Sequence, residues 1–428
     1  MVVYSVDLEN FPSDQVREKT YIDQVPYKIY NNDRESTDES VANYRSVIAT
    51  EDKKLLCFAP PTTTPLDVFM AKYPLPTEKT PMPSPPLLIN ELVEGTMINL
   101  FYDPRVFSWE IATRSSIHAN HWYYRMEYDN KERTQKTFRQ MFLETVGGGP
   151  DATDINAVFA NYSKLFCYSF VLQHPENHIV LNITQPRVFL VAVHQILSAT
   201  EVRFVSPVDY ESWDMFPPEV CFPARVTDDY FRDSTLKTYD EIIHNISKQT
   251  AMGLMITHLE KGERSIVINE HYEKVKAIRG NHMNLEYYYH VLRQKENGLA
   301  EFLYYFPQYT LLMRQFETQY ANFITEVQNF YFLYYVKKDK THIPKKYFIH
   351  VSRLHHTVFL PTKTVIRNSV VKQYLDAMSP KEIYMYMHYD ENYKKVHPQN
   401  PNEQEAEEVC SGHGDPIEIV SQTEVFVM

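Results

Sequence analysis

The chain has 428 residues, 43% of them hydrophobic, so it is long enough for two structural units with sizeable cores. Its formal net charge of −12 disfavours a dedicated nucleic-acid coat protein, since such proteins are usually basic, but leaves room for a local basic groove. Only ten glycines are present, and no GxGxxG or GxxxxGK(S/T) sequence occurs, which disfavours dinucleotide-binding folds and phosphate-binding loops.

The cysteines and the apolar stretches indicate in which cellular compartment the protein is expected. Cys57, Cys167, Cys221 and Cys410 are far apart, which disfavours a zinc site or a disulfide framework and predicts free thiols. The first residues lack the basic and apolar regions of a signal peptide, and no apolar stretch reaches about 18 residues. We therefore expect a cytoplasmic protein without a membrane span.

Strand patterns dominate from about residue 41 to residue 275. Before them, residues 1–40 are polar and predict a partly ordered arm, and the Pro- and Thr-rich stretch 60–86 should be extended or looped. Helical spacing predicts helices at 131–145, 155–163 and 238–250. Runs of β-branched and aromatic residues between turn residues predict strands at 46–49, 55–59, 97–102, 109–115, 166–172, 178–183, 187–193, 252–257 and 264–269.

The pattern becomes helical from about residue 284 to residue 387, where aromatic and aliphatic residues recur three and four apart. These stripes predict the core of a compact all-helical domain. The stretch 401–428 contains seven acidic residues and no Lys or Arg, which predicts a solvated tail. The fold class is therefore α+β, with an arm at 1–40, a mixed β-sheet domain at 41–282, a helical domain at 283–390 and an acidic tail at 391–428.

Seven short motifs follow one another between residues 44 and 300. They are YRSVI at 44–48, LVEGT at 92–96, TRSSI at 113–117, YSFV at 168–171 with HPENHIV at 174–180, MGLM at 252–255, SIVINEHY at 265–272 and IRGN at 278–281. Their order resembles the bacteriophage-type ATP-dependent RNA ligases, and especially the ligase-like proteins of large nucleocytoplasmic DNA viruses. The resemblance implies a nucleotidyltransferase-like sheet domain followed by the helical domain.

The positions that carry chemistry in that family hold unsuitable residues here. The ligase lysine that attacks the nucleotide α-phosphate corresponds to Leu92, which cannot form a phosphoramidate. Two glutamates that bind the nucleotide and support the metal correspond to Ser169 and Met252, and two phosphate-contacting lysines correspond to Ile266 and Ile268. The resemblance therefore implies a site without catalytic residues, metal ligands or charge stabilisation.

Three residues keep the type found in the family. Glu94, Gly95 and Arg114 are predicted to form a residual nucleotide or RNA pocket. The alternative is a structural role, in which Gly95 permits a tight bend and Glu94 makes a structural hydrogen bond. For Arg114, binding of phosphate or RNA and pairing with a carboxylate both stay open.

Two alternatives would restore chemistry to the domain. Lys53, Lys54 or Lys261 could replace the missing nucleophile, although none follows the expected pattern. His118 and His121 could hold a metal, but no third ligand is evident in the sequence.

Three further segments have both a structural and a functional interpretation. The sequence HPEN at 174–177 predicts a turn. The pair His355 and His356 predicts exposed surface, with a ligand role as the alternative. The lysine-rich stretch 337–346 has tyrosines on both sides and predicts either a solvated loop or a stacking surface for RNA.

The resemblance implies a pseudoenzyme kept as a nucleic-acid-binding or assembly subunit, with no cofactor. Its expected partners are RNA and other proteins of a viral assembly or transcription complex. Its expected location is the cytoplasm of an infected cell or the virion. The first alternative is an active RNA ligase with an unrecognised nucleophile, which would require ATP and Mg²⁺. The second is a purely structural virion component.

Overall fold

The computed structural model describes residues 2–22, 25–33, 38–75, 86–121, 136–177, 179–225, 252–280, 284–339 and 343–389. The chain divides into two compact units, Met1–Asn284 and Leu285–Met428. Every described strand belongs to the first unit, and the described part of the second unit is helical. The predicted α+β class is therefore confirmed. The predicted helix at 238–250 and the acidic tail lie outside the described residues.

Three sheets make up the described β-structure of the first unit. The strands are β1 Val3–Ser5, β2 Val16–Tyr21, β3 Tyr27–Asn32, β4 Val47–Thr50, β5 Leu55–Phe58, β6 Leu87–Glu91, β7 Thr96–Asp103, β8 Ser108–Ala112, β9 Phe166–Gln173, β10 Arg187–Ile196, β11 Glu201–Val205, β12 Val220–Cys221, β13 Gly253–His258 and β14 Arg264–Ile268. The largest sheet has the strand order β1-β11-β10-β9-β7-β8, with β12 pairing in parallel with β10. The other two sheets have the orders β14-β13-β6 and β2-β3-β4-β5.

Short helices complete the first unit. The helix predicted at 131–145 is described from residue 138, and Thr137 caps it in a reciprocal capping box with Gln140. The helix predicted at 155–163 is only one turn long. These helices are α1 Leu66–Lys72, α2 Phe138–Val146, α3 Ile155–Val158, α4 Pro207–Tyr210 and α5 Glu270–Arg279.

Three strands lie among the described residues of the segment predicted as a polar arm. Strand β1 pairs antiparallel with β11, and β2 and β3 extend the hairpin of β4 and β5. Val6, Leu8 and Val16 are buried in the core beneath these strands. The prediction was wrong because these apolar residues are scattered among polar ones without a regular period.

The predicted strand at 178–183 is also wrong for its described residues, 179–183, which form no strand. Their composition resembles a strand, but the backbone N–H groups of Ile179, Val180 and Leu181 point to a carboxylate instead of a neighbouring strand. A buried charged acceptor therefore replaces the ladder partner that the sequence pattern predicted.

The described part of the second unit is built from helices whose aromatic stripes form its core, as predicted. Tyr288, Phe302, Phe316 and Tyr320 are all buried. The helices are α6 Leu285–Leu292, α7 Gly298–Tyr305, α8 Thr310–Tyr331, α9 Lys345–Arg353, α10 Leu360–Thr362, α11 Asn368–Asp376 and α12 Pro380–Met387. Two of them end in π-helical turns, Phe332–Val336 after α8 and Leu354–Phe359 after α9. Among the described residues, no helix has the length and apolar character needed to cross a membrane.

Candidate functional site

Glu94 lies in the short connection between β6 and β7 and is 3% exposed. Its carboxylate accepts hydrogen bonds from the backbone N–H groups of Ile179, Val180 and Leu181, at 3.1 to 3.3 Å. The hydroxyl of Tyr272, on α5, donates to Glu94 Oε2 at 2.5 Å. Successive backbone N–H groups form an anion-binding concavity, and here a side chain of the same protein occupies it.

Both oxygens of Glu94 are therefore used inside the protein. Desolvating a carboxylate is costly, and this cost is offset only because four donors converge on it. The backbone carbonyl of Glu94 also accepts a hydrogen bond from Gln173 Nε2 at 2.9 Å. These contacts give Glu94 the structural hydrogen-bonding role that the sequence offered as one of two alternatives.

Gly95 is fixed by the close approach of β9. A Cβ atom at this position would lie 2.4 Å from the carbonyl oxygen of Leu172 and 2.7 Å from Cγ1 of Val171. Its φ of 155° is also rare for residues with a side chain. Gly95 thus allows the chain to enter β7 directly against β9, with which β7 pairs in antiparallel register.

Arg114 follows β8 and joins it to the four-stranded sheet. Its Nε donates to the carbonyl oxygen of Arg45 at 3.2 Å, and its Nη2 donates to the carbonyl oxygen of Asn32 at 2.5 Å. The carbonyl oxygen of Arg114 in turn accepts from Asn31 and Ser46. Nη2 also donates to Asn32 Oδ1 at 3.3 Å, and these acceptors lie on other elements than the contacts of Glu94.

The positions that the resemblance assigns to ligase catalytic residues lie on or next to β6, β9, β13 and β14. The backbone N–H of Leu92 donates to the carbonyl oxygen of Gly253, and Met252 accepts from the backbone N–H of Asn269. Ile266 pairs with Met255, and both are half-buried on the same face of the three-stranded sheet, as is Ile268. At positions 255, 266 and 268 this face of the three-stranded sheet therefore presents hydrocarbon side chains and no charged group.

The neighbouring face of the large sheet is also poorly suited to a triphosphate. Ser169 is buried on β9, and its hydroxyl donates to Asn99 Oδ1 at 2.8 Å. Next to it, Val93, Val171 and Phe189 form an apolar cluster. Asn99 Nδ2 is buried without an acceptor in the described part of the chain, but one amide donor cannot balance phosphate charge.

ATP with a divalent metal therefore does not fit these residues. The positions that the resemblance assigns to a nucleotide-binding glutamate and a metal-supporting glutamate hold Ser169 and Met252. The three positions that it assigns to lysines hold Leu92, Ile266 and Ile268. Within the described residues, no group of three His, Cys, Asp or Glu side chains could hold a metal ion.

The two histidines proposed as metal ligands have other partners. His118 Nδ1 lies 2.8 Å from Glu110 Oε2, and Arg139 binds the other oxygen of the same carboxylate. The ring of His121 packs edge-on against Phe138 at 5.2 Å. These contacts join β8 to α2, since Arg139 and Phe138 lie in the first turn of that helix.

The structure also shows where the three lysines considered as replacement nucleophiles lie. Lys53 Nζ pairs with Glu9 at 2.7 Å, and Lys54 Nζ pairs with Asp52 at 2.8 Å. Both lie at the tip of the β4–β5 hairpin. Lys261 lies in the turn between β13 and β14, where its backbone N–H donates to His258 Nδ1.

The predicted turn at 174–177 is confirmed, with the backbone N–H of Asn177 donating to the carbonyl oxygen of His174 at 2.9 Å. Asn177 Nδ2 donates to Thr96 Oγ1 at 2.8 Å, and His174 Nε2 lies 2.8 Å from Glu144 Oε1. The turn is thereby held against β7 and α2, and it sets the position of the loop that binds Glu94. Sequence reasoning recognised the turn but missed this function.

No protein-family model matches the chain, and no curated protein matches it. Among solved structures, the chain is similar to a putative ATP-dependent DNA ligase from Aquifex aeolicus, at 12% identity and a TM-score of 0.40, over 72% of this chain and 70% of that one. It is also similar to a mutant RNA ligase from Naegleria gruberi with ATP and Mn, at 10% identity and a TM-score of 0.30, over 45% of this chain and 51% of that one. The chain thus spans about half the length of the second protein.

Proposed function

We propose that this chain is an RNA-ligase-like protein that has lost adenylyltransferase chemistry and acts as a nucleic-acid-binding or assembly subunit. The observation that carries the proposal is the internal use of Glu94, whose carboxylate is bound by Tyr272 and three backbone N–H groups. A carboxylate held in this way stabilises the fold and has no free oxygen for a ligand.

The five replaced positions support the same proposal. Covalent nucleotidyl transfer needs an amine nucleophile beside a metal-neutralised triphosphate. Leu92 supplies no amine, Ser169 and Met252 supply no carboxylate, and Ile266 and Ile268 supply no charge. A single loss would leave partial chemistry, whereas all five together remove nucleophile, metal support and phosphate binding.

The first alternative, an active ligase with another nucleophile, is less well supported by the contacts. Lys53 and Lys54 are engaged with Glu9 and Asp52. The second alternative, a purely structural virion component, shares the loss of chemistry and differs only in having no nucleic-acid ligand. Action in the cytoplasm of an infected cell, or within a virion, alongside other viral proteins is part of the proposal.

The test is an adenylylation assay on the purified full-length protein. The protein is incubated with ATP and either Mg²⁺ or Mn²⁺, its intact mass is recorded, and an active RNA ligase is treated in parallel. The expected result is an unchanged mass beside a control that gains one AMP. A Leu92→Lys variant should also stay unmodified, because one restored amine lacks metal support and phosphate-binding cations.

A mass gain of one AMP by the wild-type protein, abolished by replacing a single lysine, would overturn the proposal and identify the nucleophile. Adenylylation of the Leu92→Lys variant alone would contradict the claim that the remaining positions have decayed. Both results are independent of whether the protein binds nucleic acid.

A further inference from the structure

One stretch of the second unit has a charge opposite to that of the whole protein. Residues 330–367 contain eight Lys and Arg residues and a single acidic residue, Asp339, in a chain of net charge −12. The same stretch contains eight Phe and Tyr residues. A local basic patch determines which ligands approach a surface even when the protein as a whole is acidic.

Two packed helices carry this stretch. Tyr347 of α9 lies between two rings of α8, with centroids 5.4 Å from Phe323 and 5.0 Å from Phe330. Each helix then continues into a π-helical turn, Phe332–Val336 and Leu354–Phe359. Such turns are rare and often occur at functional sites, because the extra residue redirects the side chains that follow.

The two π-helical turns together build a stack of parallel rings. Tyr335 and His355 lie 3.6 Å apart with planes 5° from parallel, and His355 and Phe359 lie 5.3 Å apart at 20°. Tyr331 supports the stack through a contact of 3.2 Å between its hydroxyl and His355 Nδ1. The prediction that His355 is exposed surface was therefore wrong, because its ring is half-buried in this stack; His356 is exposed.

Cations and exposed rings lie on the same segments of the chain as the stack. Phe332 and Phe348 are 41% and 42% exposed. Lysine ammonium groups lie over three rings, with Lys337 5.4 Å from Phe332, Lys346 5.1 Å from Tyr347 and Lys363 5.6 Å from Phe359. A mobile lysine next to a ring can move to a phosphate while the ring accepts a base, as in proteins that bind single strands.

We propose that the ring stack, together with the exposed rings and lysines on the same segments, binds single-stranded nucleic acid. Lys337, Lys338, Lys345 and Lys363 contact phosphates, and Phe332 and Phe348 stack with bases. Single strands are favoured over duplexes because an unpaired base exposes the faces that these rings require. Binding should depend little on the nucleotide sequence, because stacking and phosphate contacts do not distinguish the hydrogen-bonding edges of the bases. The proposal concerns the second unit and does not depend on the lost chemistry of the first.

The test is fluorescence anisotropy of the full-length protein with a labelled oligouridine and a labelled duplex of equal length. Lys337, Lys338, Lys345 and Lys363 are replaced together by Gln. The slope of log affinity against log salt concentration should fall by about 0.7 for each lost phosphate contact. The control replaces four exposed lysines elsewhere, Lys72, Lys274, Lys276 and Lys381, by Gln, and should bind as the wild type does.

A second pair of variants tests the stacking. Replacing Phe332 and Phe348 by Ser should weaken oligouridine binding by about 5-fold or more, because stacking of a base on an aromatic side chain contributes appreciably to affinity. The matched control replaces Phe107 and Tyr304, both 79% exposed, by Ser and should leave binding unchanged. Circular dichroism melting establishes that each variant is folded.

Several results would overturn the proposal. They are equal affinity of the wild type and the four-lysine variant, an equal loss in the control variants, and duplex binding as tight as single-strand binding. Displacement of the oligouridine by polyglutamate at equal charge concentration would indicate an acidic protein partner instead.

Discussion

Tyr272 donates its hydroxyl hydrogen to Glu94 Oε2 across a sequence separation of 178 residues. Glu94 belongs to the second of the seven motifs, and Tyr272 is the last residue of the sixth. The two motifs are thus joined by one buried contact between a neutral donor and a carboxylate. This contact gives both residues a structural role within the first unit.

The Glu94 contacts should contribute measurably to stability. Glu94→Ala leaves one hydroxyl and three backbone N–H groups without their acceptor, so we expect the free energy of unfolding to fall by about 3 kcal/mol or more. Tyr272→Phe removes one donor to a charged group and should cost about 2 kcal/mol. Trp109, Trp122 and Trp213 all lie in the first unit, so tryptophan fluorescence in a urea titration reports that unit alone.

Glu260→Ala, which removes an exposed carboxylate of the same unit, provides the control and should change stability by less than about 0.5 kcal/mol. In the double variant the two losses should be less than additive, since both residues share one contact. Strict additivity would contradict the coupling between Glu94 and Tyr272.

Gly95 should tolerate no side chain. Gly95→Ala places a Cβ atom 2.4 Å from the carbonyl oxygen of Leu172, and relief of this overlap requires separating β7 from β9. We expect a loss of about 2 kcal/mol or more in the same urea titration. Gly149→Ala is the matched control, because no atom lies within 4 Å of its new Cβ, and a comparable loss there would refute the steric explanation.

The first unit should lose stability as the pH falls below about 6.5. Burial among Tyr4, Phe58 and Phe204, with the charge of Arg264, lowers the pKa of His194 to about 3. An unfolded histidine titrates near 6.5, so below that pH only the unfolded chain binds the proton. Stability conferred by neutral His194 is therefore fully present above about pH 6.5 and is lost as the pH falls toward 3.

Between pH 7 and pH 5, this linkage amounts to about 2 kcal/mol for one histidine. The measurement is a series of urea titrations followed by tryptophan fluorescence across that range. A His194→Phe variant should show a shallower dependence by this amount. Parallel curves for His194→Phe and the wild type would refute the assignment.

Arg114 should act on stability and not on ligand binding. Arg114→Lys keeps the charge but cannot donate to the carbonyl oxygens of both Arg45 and Asn32 with the same planar geometry, so we expect a loss of about 1–2 kcal/mol. Oligouridine affinity, measured by anisotropy, should be unchanged. A weaker affinity with unchanged stability would instead support the predicted RNA pocket.

Much of the fold could be predicted because strand and helix signals are local. The hairpin of β4 and β5 around a charged turn and the strands β7, β9 and β10 follow from residue type and turn chemistry over a few residues. The helical second unit follows from the three-and-four spacing of its aromatic residues. The same local signals failed at residues 179–183, where an apolar run resembles a strand but binds Glu94.

The candidate site also has features that the sequence predicts and features that only the folded chain shows. Residue identity alone was enough to recognise that position 92 lacks an amine, because nucleophilicity is a property of the side chain itself. The structural use of Glu94 and the stack of Tyr335 on His355 became visible only in the folded chain. Both depend on residues from separate segments being packed within a few ångströms, and sequence periodicity does not encode which distant segments meet.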